Sequence, residues 1–325
     1  MLLVTGGAGY IGSHVALELR RRGRETLIFD DLSKGHRDLA GDAPFEEGDL
    51  KNLSRVREVF TRYSIDGVLH FAAKSLVGES MAMPMDYYRN NVVGTINLLT
   101  AMEEHGVKRM VFSSTAAVYG EPETTPIYED AALKPTNVYG DTKLFIESML
   151  RNLHRAMGLC STSLRYFNAA GADPSGEVGE DHTPETHLIP LALDVALGKR
   201  EKLQIFGNDY RTPDGTCVRD YVHVTDLAMA HVKAIEMLEA GVAGCEAFNL
   251  GNGKGFSVLE IIDSVRKVTG HPIPVEFSGR RPGDPAVLVA SSKKAEKNLG
   301  WQRNFPGIEE IVSTAWQWHK NRHGR

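Results

Sequence analysis

The sequence predicts an α/β fold, a doubly wound parallel sheet with a smaller mixed α/β lobe, and three observations support it. Short β-rich runs alternate with helical periods through the first half of the chain. Those runs are almost wholly apolar, as strands covered on both faces must be. The chain also opens in a strand that runs into glycines, Leu2-Leu3-Val4-Thr5 before Gly6-Gly7-Ala8-Gly9-Tyr10-Ile11-Gly12. Alternation of this kind implies a parallel sheet with helices on both faces, because right-handed crossovers leave few other topologies.

Leu2–Thr5 is the first expected strand; Ile11, Val15 and Leu19 then recur at helical spacing, and Thr26–Phe29 is the second strand. Further strands are expected near Gly67–Phe71, Arg109–Ser113 and Ser161–Phe167, with helices around Ser54–Tyr63, Pro84–His105 and Tyr139–Met157. After Asn168 the character changes: Ala170–Pro190 is rich in Gly, Pro, His and acidic residues, as a loop or hinge is. Beyond it, loops are expected at Phe206–Thr216 and Ser278–Pro285. Ser257 and Glu260 form a capping box ahead of Val258, Ile261, Ile262 and Val265, which marks a helix start.

Gly6 and Gly9 allow the sharp turn and close backbone approach that a pyrophosphate needs, and Gly12 lets the helix sit tightly on the strand. Asp30 closes the second strand, where a carboxylate accepts hydrogen bonds from ribose hydroxyls and repels a 2′-phosphate. NAD is therefore expected rather than NADP; Asp31 adds to the repulsion, while Lys34, His36 and Arg37 nearby act against it. Residues 1–168 are expected to form this NAD-binding Rossmann domain, and 169–325 mainly a substrate lobe, with some segments returning to the first domain.

Tyr139 and Lys143 lie four apart, on one face of a helix, and so can serve one site. A tyrosine must drop about three units from ~10 to act as a base at neutral pH, which Lys143 together with an oxidised nicotinamide would supply. Ser113-Ser114-Thr115 ends the strand Met110-Val111-Phe112, at the edge where such sheets bind ligands.

Composition removes several other classes. With 37 basic and 42 acidic residues the net charge is -5, which leaves no electrostatic footprint for nucleic acid. The basic run Arg20-Arg21-Arg22 suits the end of the first helix. Three widely spaced cysteines, Cys160, Cys217 and Cys245, form no disulfide framework and fit a reducing compartment. No apolar stretch approaches the ~18 residues of a membrane span, and no basic leader or cleavage site precedes the first strand, so a cytoplasmic protein without membrane partners is expected. Asp181-His182 and Glu185-Thr186-His187 lack a recognised ligand spacing and are expected to be polar loop, with no metal bound. Met81, Met83 and Met85 around Pro84 are expected to pack or to lie at an interface.

On these motifs the chain resembles the extended short-chain dehydrogenase/reductase family, and within it the enzymes that invert C4 of UDP-sugars. The resemblance extends over almost the whole length. It is carried by Thr5–His14, His70–Ala73, Val77–Ser80, Tyr87–Asn91, Ser113–Gly120, Tyr139–Lys143, Leu164–Asn168, Ile205–Tyr210, Val218–Tyr221 and Arg280–Pro285. It implies that Gly6, Gly9, Tyr10, Ile11, Gly12, Asp30, Asp49, Leu50, Phe71, Ala72, Ala73, Asn90, Ser113, Tyr139, Lys143 and Phe167 hold NAD. Tyr139, Lys143 and Thr115 would be catalytic. Thr115, Tyr139, Asn168, His187, Leu188, Gln204, Phe206, Arg219, Arg281, Asp284 and Leu288 would hold the UDP-sugar, with the two arginines suited to its diphosphate. The implied activity is interconversion of UDP-glucose and UDP-galactose through a 4-keto intermediate with NAD kept bound, by a homodimer paired through Pro84–His105 and Tyr139–Met157.

Some positions depart from relatives: Thr115 stands for a serine, His187 for an asparagine and Ser75 for a lysine. Leu288 falls where relatives restricted to the plain sugars often carry tyrosine, which extends the expectation to the N-acetylated hexoses. Other UDP-sugar 4-epimerases and nucleotide-sugar dehydratases are the nearest alternatives. The dehydratases carry an acidic pair after the threonine, where this chain has Ala116-Ala117. A redox-sensing regulator, from a different class, would be expected to lose the Tyr/Lys pair that this chain keeps.

Overall fold

The structure is a computed structural model and describes residues 1–281 and 285–324. Seven strands form an all-parallel sheet in the order Phe45–Glu47, Thr26–Asp30, Leu2–Thr5, Gly67–His70, Arg109–Ser113, Cys160–Tyr166, Cys245–Leu250. Counted along the chain, the first six run 3-2-1-4-5-6, the order of a doubly wound dinucleotide fold. Strand residues alternate between two cores. Leu2 and Val4 face one side, with Leu69, Val111, Val15 and Leu19; Leu3 faces the other, with Val68, Phe112, Phe60 and Leu98. Each fully buried aliphatic side chain contributes roughly 1.5–3 kcal/mol, so two such layers hold the sheet firmly.

The remaining strands build a smaller mixed lobe. Val218–His223 is its centre, flanked by antiparallel Gly255–Ser257 and by parallel Val287–Leu288 and Asn168–Ala170. Leu203–Phe206 pairs separately with Val275–Ser278, a strand lying immediately before the loop expected from Ser278. The capping box forms as expected, with Ser257 and Glu260 reciprocally bonded at the head of the helix Val258–Thr269.

Later segments return to the large sheet, in line with the expected pattern, and one helix departs from it. Val224–Glu239 packs on the first core through Leu227, Val232 and Ile235, and Cys245–Leu250 then adds the seventh strand beside Cys160–Tyr166. The chain thus returns to the large sheet after building part of the smaller lobe. The helix expected over Pro84–His105 is interrupted, running α to Tyr87, as a wide π turn over Tyr88–Val93, and α again from Gly94 to Glu104. Within that turn the buried Asn91 side chain accepts from Lys74 N and donates to Lys74 O and the Thr142 hydroxyl. Wide turns of this kind often occur at functional sites.

Candidate active site

The predicted cofactor residues gather beyond the carboxyl ends of the parallel strands. Gly6 has φ +71°, and a Cβ there would stand 2.6 Å from Ala72 N; a Cβ on Gly12 would stand 2.2 Å from Gly6 O. Only glycine permits this packing. The helix Tyr10–Arg21 that follows has no side-chain cap and no acidic residue in its first turn, so its N-terminus presents N–H groups and positive dipole to an anion. Asp30 is buried and accepts from Ala8 N and Leu32 N, both at 2.9 Å, one on each oxygen. Each oxygen keeps a lone pair for a ribose hydroxyl. Nearby cations are engaged elsewhere: Lys34 donates to Thr183 O, His36 to Asp181 O, and Arg37 lies 4.4 Å from the centre of the Phe45 ring. The site therefore fits NAD, and among the described residues these three basic side chains are engaged away from a 2′-phosphate. Tyr10 is placed at the loop, but its hydroxyl donates to Gly171 O, so its side chain braces the smaller lobe.

The helix Val138–Met157 starts where Asn137 Oδ1 accepts from Gly140 N at 2.8 Å, and this cap fixes the facing of Tyr139 and Lys143. Lys143 is almost fully buried, donates to Ser113 O at 2.8 Å and stands 5.8 Å from the centre of the Tyr139 ring. Burial brings its pKa down to about 7, opposed by the charge of Glu147. Burial pushes the Tyr139 phenol up to about 12, opposed by a hydrogen bond with Thr115. In the protein alone the phenol is therefore not yet a base. The charge of Lys143, and that of an oxidised nicotinamide when bound, would favour its ionisation. Thr115 caps the short 3-10 turn Ala116–Tyr119, and its hydroxyl accepts from Ala117 N. No acidic side chain follows it in that turn.

In the smaller lobe, Arg219 and Leu288 are register partners, and Asn168 runs alongside Tyr221. Leu288 packs with Val118, Tyr119, Ile127 and Phe167, which brings the lobe's central sheet against the turn after Thr115. Arg281 lies 4.0 Å from the centre of the Phe206 ring. Gln204 is exposed and bonds Ser278, and Leu188 opens the helix Leu188–Ala196. His187, expected beside the diphosphate, turns Nδ1 to the carboxylates of Glu180 and Glu185. Asp284 lies outside the described residues.

The model of the GDP-mannose 4,6-dehydratase family matches residues 3–314. The chain belongs to this family, a branch of the extended short-chain dehydrogenases/reductases. It is 57% identical to the UDP-glucose 4-epimerase of Halalkalibacterium halodurans, covering 98% of this chain and 95% of that one. A crystal structure of a UDP-glucose 4-epimerase superposes with TM-score 0.97 at 52% identity, covering 99% of this chain and 98% of the other. That of Bifidobacterium longum, in complex with NAD+ and UDP, gives 0.95 at 40% identity, covering 99% of each chain.

In this short-chain dehydrogenase/reductase, the buried support of the helix carrying Tyr139 and Lys143 is what sequence reasoning missed. Glu147, one turn beyond Lys143, accepts from the Ser114 hydroxyl at 2.6 Å and from both Nε and Nη2 of Arg165. Arg165 donates onward to the Tyr119 hydroxyl, which donates to Asn249 of the seventh strand. The recurrence Tyr139, Lys143, Glu147 at intervals of four was the available signal. In the polar loop after Gly171, Glu180, His182, Glu185 and His187 bring four ligand-type atoms within 4.8 Å of one another.

Proposed function

We infer that the chain is an NAD-dependent UDP-hexose 4-epimerase that interconverts UDP-glucose and UDP-galactose. The observation that carries this is the meeting of three parts at one edge: the glycine loop, the Thr115–Tyr139–Lys143 group, and a second sheet presenting Arg219 and Leu288. NAD supplies a hydride acceptor and donor at C4 when bound. Tyr139 removes the C4 hydroxyl proton and later returns it, Thr115 orients that hydroxyl, and Lys143 supplies charge beside the phenol. Arg219 and Arg281 anchor the diphosphate, while the 4-keto sugar turns to present its other face. The Ala116-Ala117 pair leaves no acid–base group after Thr115 for eliminating water, which disfavours a dehydratase. Incubating the purified protein with UDP-galactose and reading the C4 configuration by NMR tests the assignment. Epimer formation without added NAD is expected; release of stoichiometric NADH instead would replace the reading with a dehydrogenase.

The N-acetylated sugars extend the same reading. Leu288 is half-buried between Arg219 and the turn after Thr115, where a tyrosine would crowd an N-acetyl group. Overpacking costs about 1–3 kcal/mol, so Leu288→Tyr is expected to lower kcat/KM for UDP-N-acetylgalactosamine roughly 5- to 150-fold while sparing UDP-galactose. Equal loss on both substrates would show that Leu288 packs without selecting.

A cytoplasmic homodimer completes the proposal. Free cysteines and the lack, among the described residues, of a helix long and apolar enough to cross a membrane support the first part. Exposed Val93, Ile96 and Phe145, on the two helical segments expected to pair, support the second. Light scattering is expected to give twice 35.8 kDa, and Phe145→Glu to shift the protein toward the single chain.

A further inference from the structure

The loop that leads into the helix at Leu188 carries a cluster set apart from the Thr115–Tyr139–Lys143 group. Glu180 is 7% exposed, and Oε1 lies 3.1 Å from His182 Nδ1 and 2.7 Å from His187 Nδ1. Glu185 closes the group, with Oε1 at 3.0 Å from His187 Nδ1 and Oε2 at 3.9 Å from His182 Nδ1. Among the described residues, every ion pair of these two carboxylates ends on one of the two imidazoles. A buried carboxylate such as Glu180 needs paired charge or a metal, while the half-buried Glu185 also accepts from Thr186 N and His187 N. Yet His187 Nδ1 carries at most one proton and faces two carboxylates at hydrogen-bond distance. Two carboxylates and two ring nitrogens thus converge on one point.

Zinc bound to nitrogen and oxygen at about 2.0–2.2 Å in a tetrahedron sets its ligand atoms about 3.3 Å apart. Three of the separations here, 2.7, 3.0 and 3.1 Å, lie near that edge, and one ligand-type atom from each residue falls within 4.8 Å of the others. We propose that Glu180, His182, Glu185 and His187 form a four-ligand site for one zinc-class divalent ion. Four protein ligands leave no open position, as in structural rather than catalytic sites.

The placement gives the ion a task. Tyr10, at the cofactor loop, sets its ring edge-on to His182 with centroids 6.0 Å apart, and His187 immediately precedes the helix that begins at Leu188. Trp318 Nε1 donates to Glu180 O, and Arg322 Nε to Asp181, so the C-terminal helix grips the same loop. The ion fastens the loop at the junction of these three elements. The sequence hides the set because its intervals of two, three and two residues match no familiar ligand spacing.

The test strips the full-length protein with a chelator and titrates it with Zn2+ against a chromophoric competitor. One equivalent per chain is expected, with melting temperature rising with free zinc, and with Co2+ the visible absorption of a tetrahedral complex. His182→Gln and Glu185→Gln are each expected to weaken affinity by at least ~10-fold. No stoichiometric uptake by the wild type overturns the proposal, whatever the variants do. Uptake unchanged in both variants overturns it equally, since the ion would then be held elsewhere.

Discussion

Tyr139→Phe is expected to lower turnover on UDP-galactose at least ~100-fold, the usual scale for losing a general acid–base group and equivalent to about 2.7 kcal/mol of barrier. The change removes one oxygen and keeps the ring. Its partner Thr115 retains the Ala117 N–H as a donor, so no buried group is left without a hydrogen bond. Lys143 retains Ser113 O, and the Asn137 cap that starts the helix is untouched. The fold and the cofactor content of the purified protein should therefore equal those of the wild type. Steady-state kinetics at saturating substrate, alongside the nucleotide absorbance of the purified protein, checks both halves. Turnover near normal would take Tyr139 out of the mechanism.

The second large effect is on stability. Glu147→Ala leaves the Arg165 guanidinium, 3% exposed, without its carboxylate. Breaking one partner out of a buried ion pair costs about 3–5 kcal/mol, because the remaining charge is neither solvated nor compensated. Urea unfolding should show a loss of that size. Glu147→Gln, which keeps the shape and an acceptor, should be less damaging. The same substitution removes the charge that opposes the burial-lowered pKa of Lys143, so the lysine would lose its proton at lower pH than now. A change below about 1 kcal/mol in Glu147→Ala would mean that water or another group compensates Arg165, and would remove the pair from the account of stability.

What the sequence made legible was local. Leu2–Thr5 running into Gly6, Gly9 and Gly12, the Tyr139/Lys143 interval and the Ser257/Glu260 box each declare themselves within a few residues, because turn sterics and helix periodicity are short-range. The return of Cys245–Leu250 to Cys160–Tyr166 depends on partners about 85 positions apart, which no periodicity encodes. The π turn at Tyr88–Val93 escaped because its sequence still fits a helix, while the Asn91 bonds to Lys74 and Thr142 are tertiary. Glu147 could be placed on the catalytic face by its interval, but not its buried partner Arg165 on a neighbouring strand. The roles of Asn168, Gln204, Phe206 and Arg281 rested on resemblance alone, since a lone arginine or asparagine carries no signature of a diphosphate.

The strand that comes home late also sets a timetable for biosynthesis. Residues 1–168 can emerge from the ribosome with six of the seven strands, but one apolar face awaits Leu227, Val232 and Ile235, and the edge at Cys160–Tyr166 awaits Cys245–Leu250. The same layer is completed by Trp301, fully buried, whose indole N–H donates to Asp226 O. At about 5–20 residues per second, the stretch from residue 168 to Leu250 takes roughly 4 to 16 seconds, during which the nascent first half has a greasy face and an open sheet edge. A gene cut near residue 168 would make that interval permanent, yielding a fragment prone to clump rather than a free-standing nucleotide module.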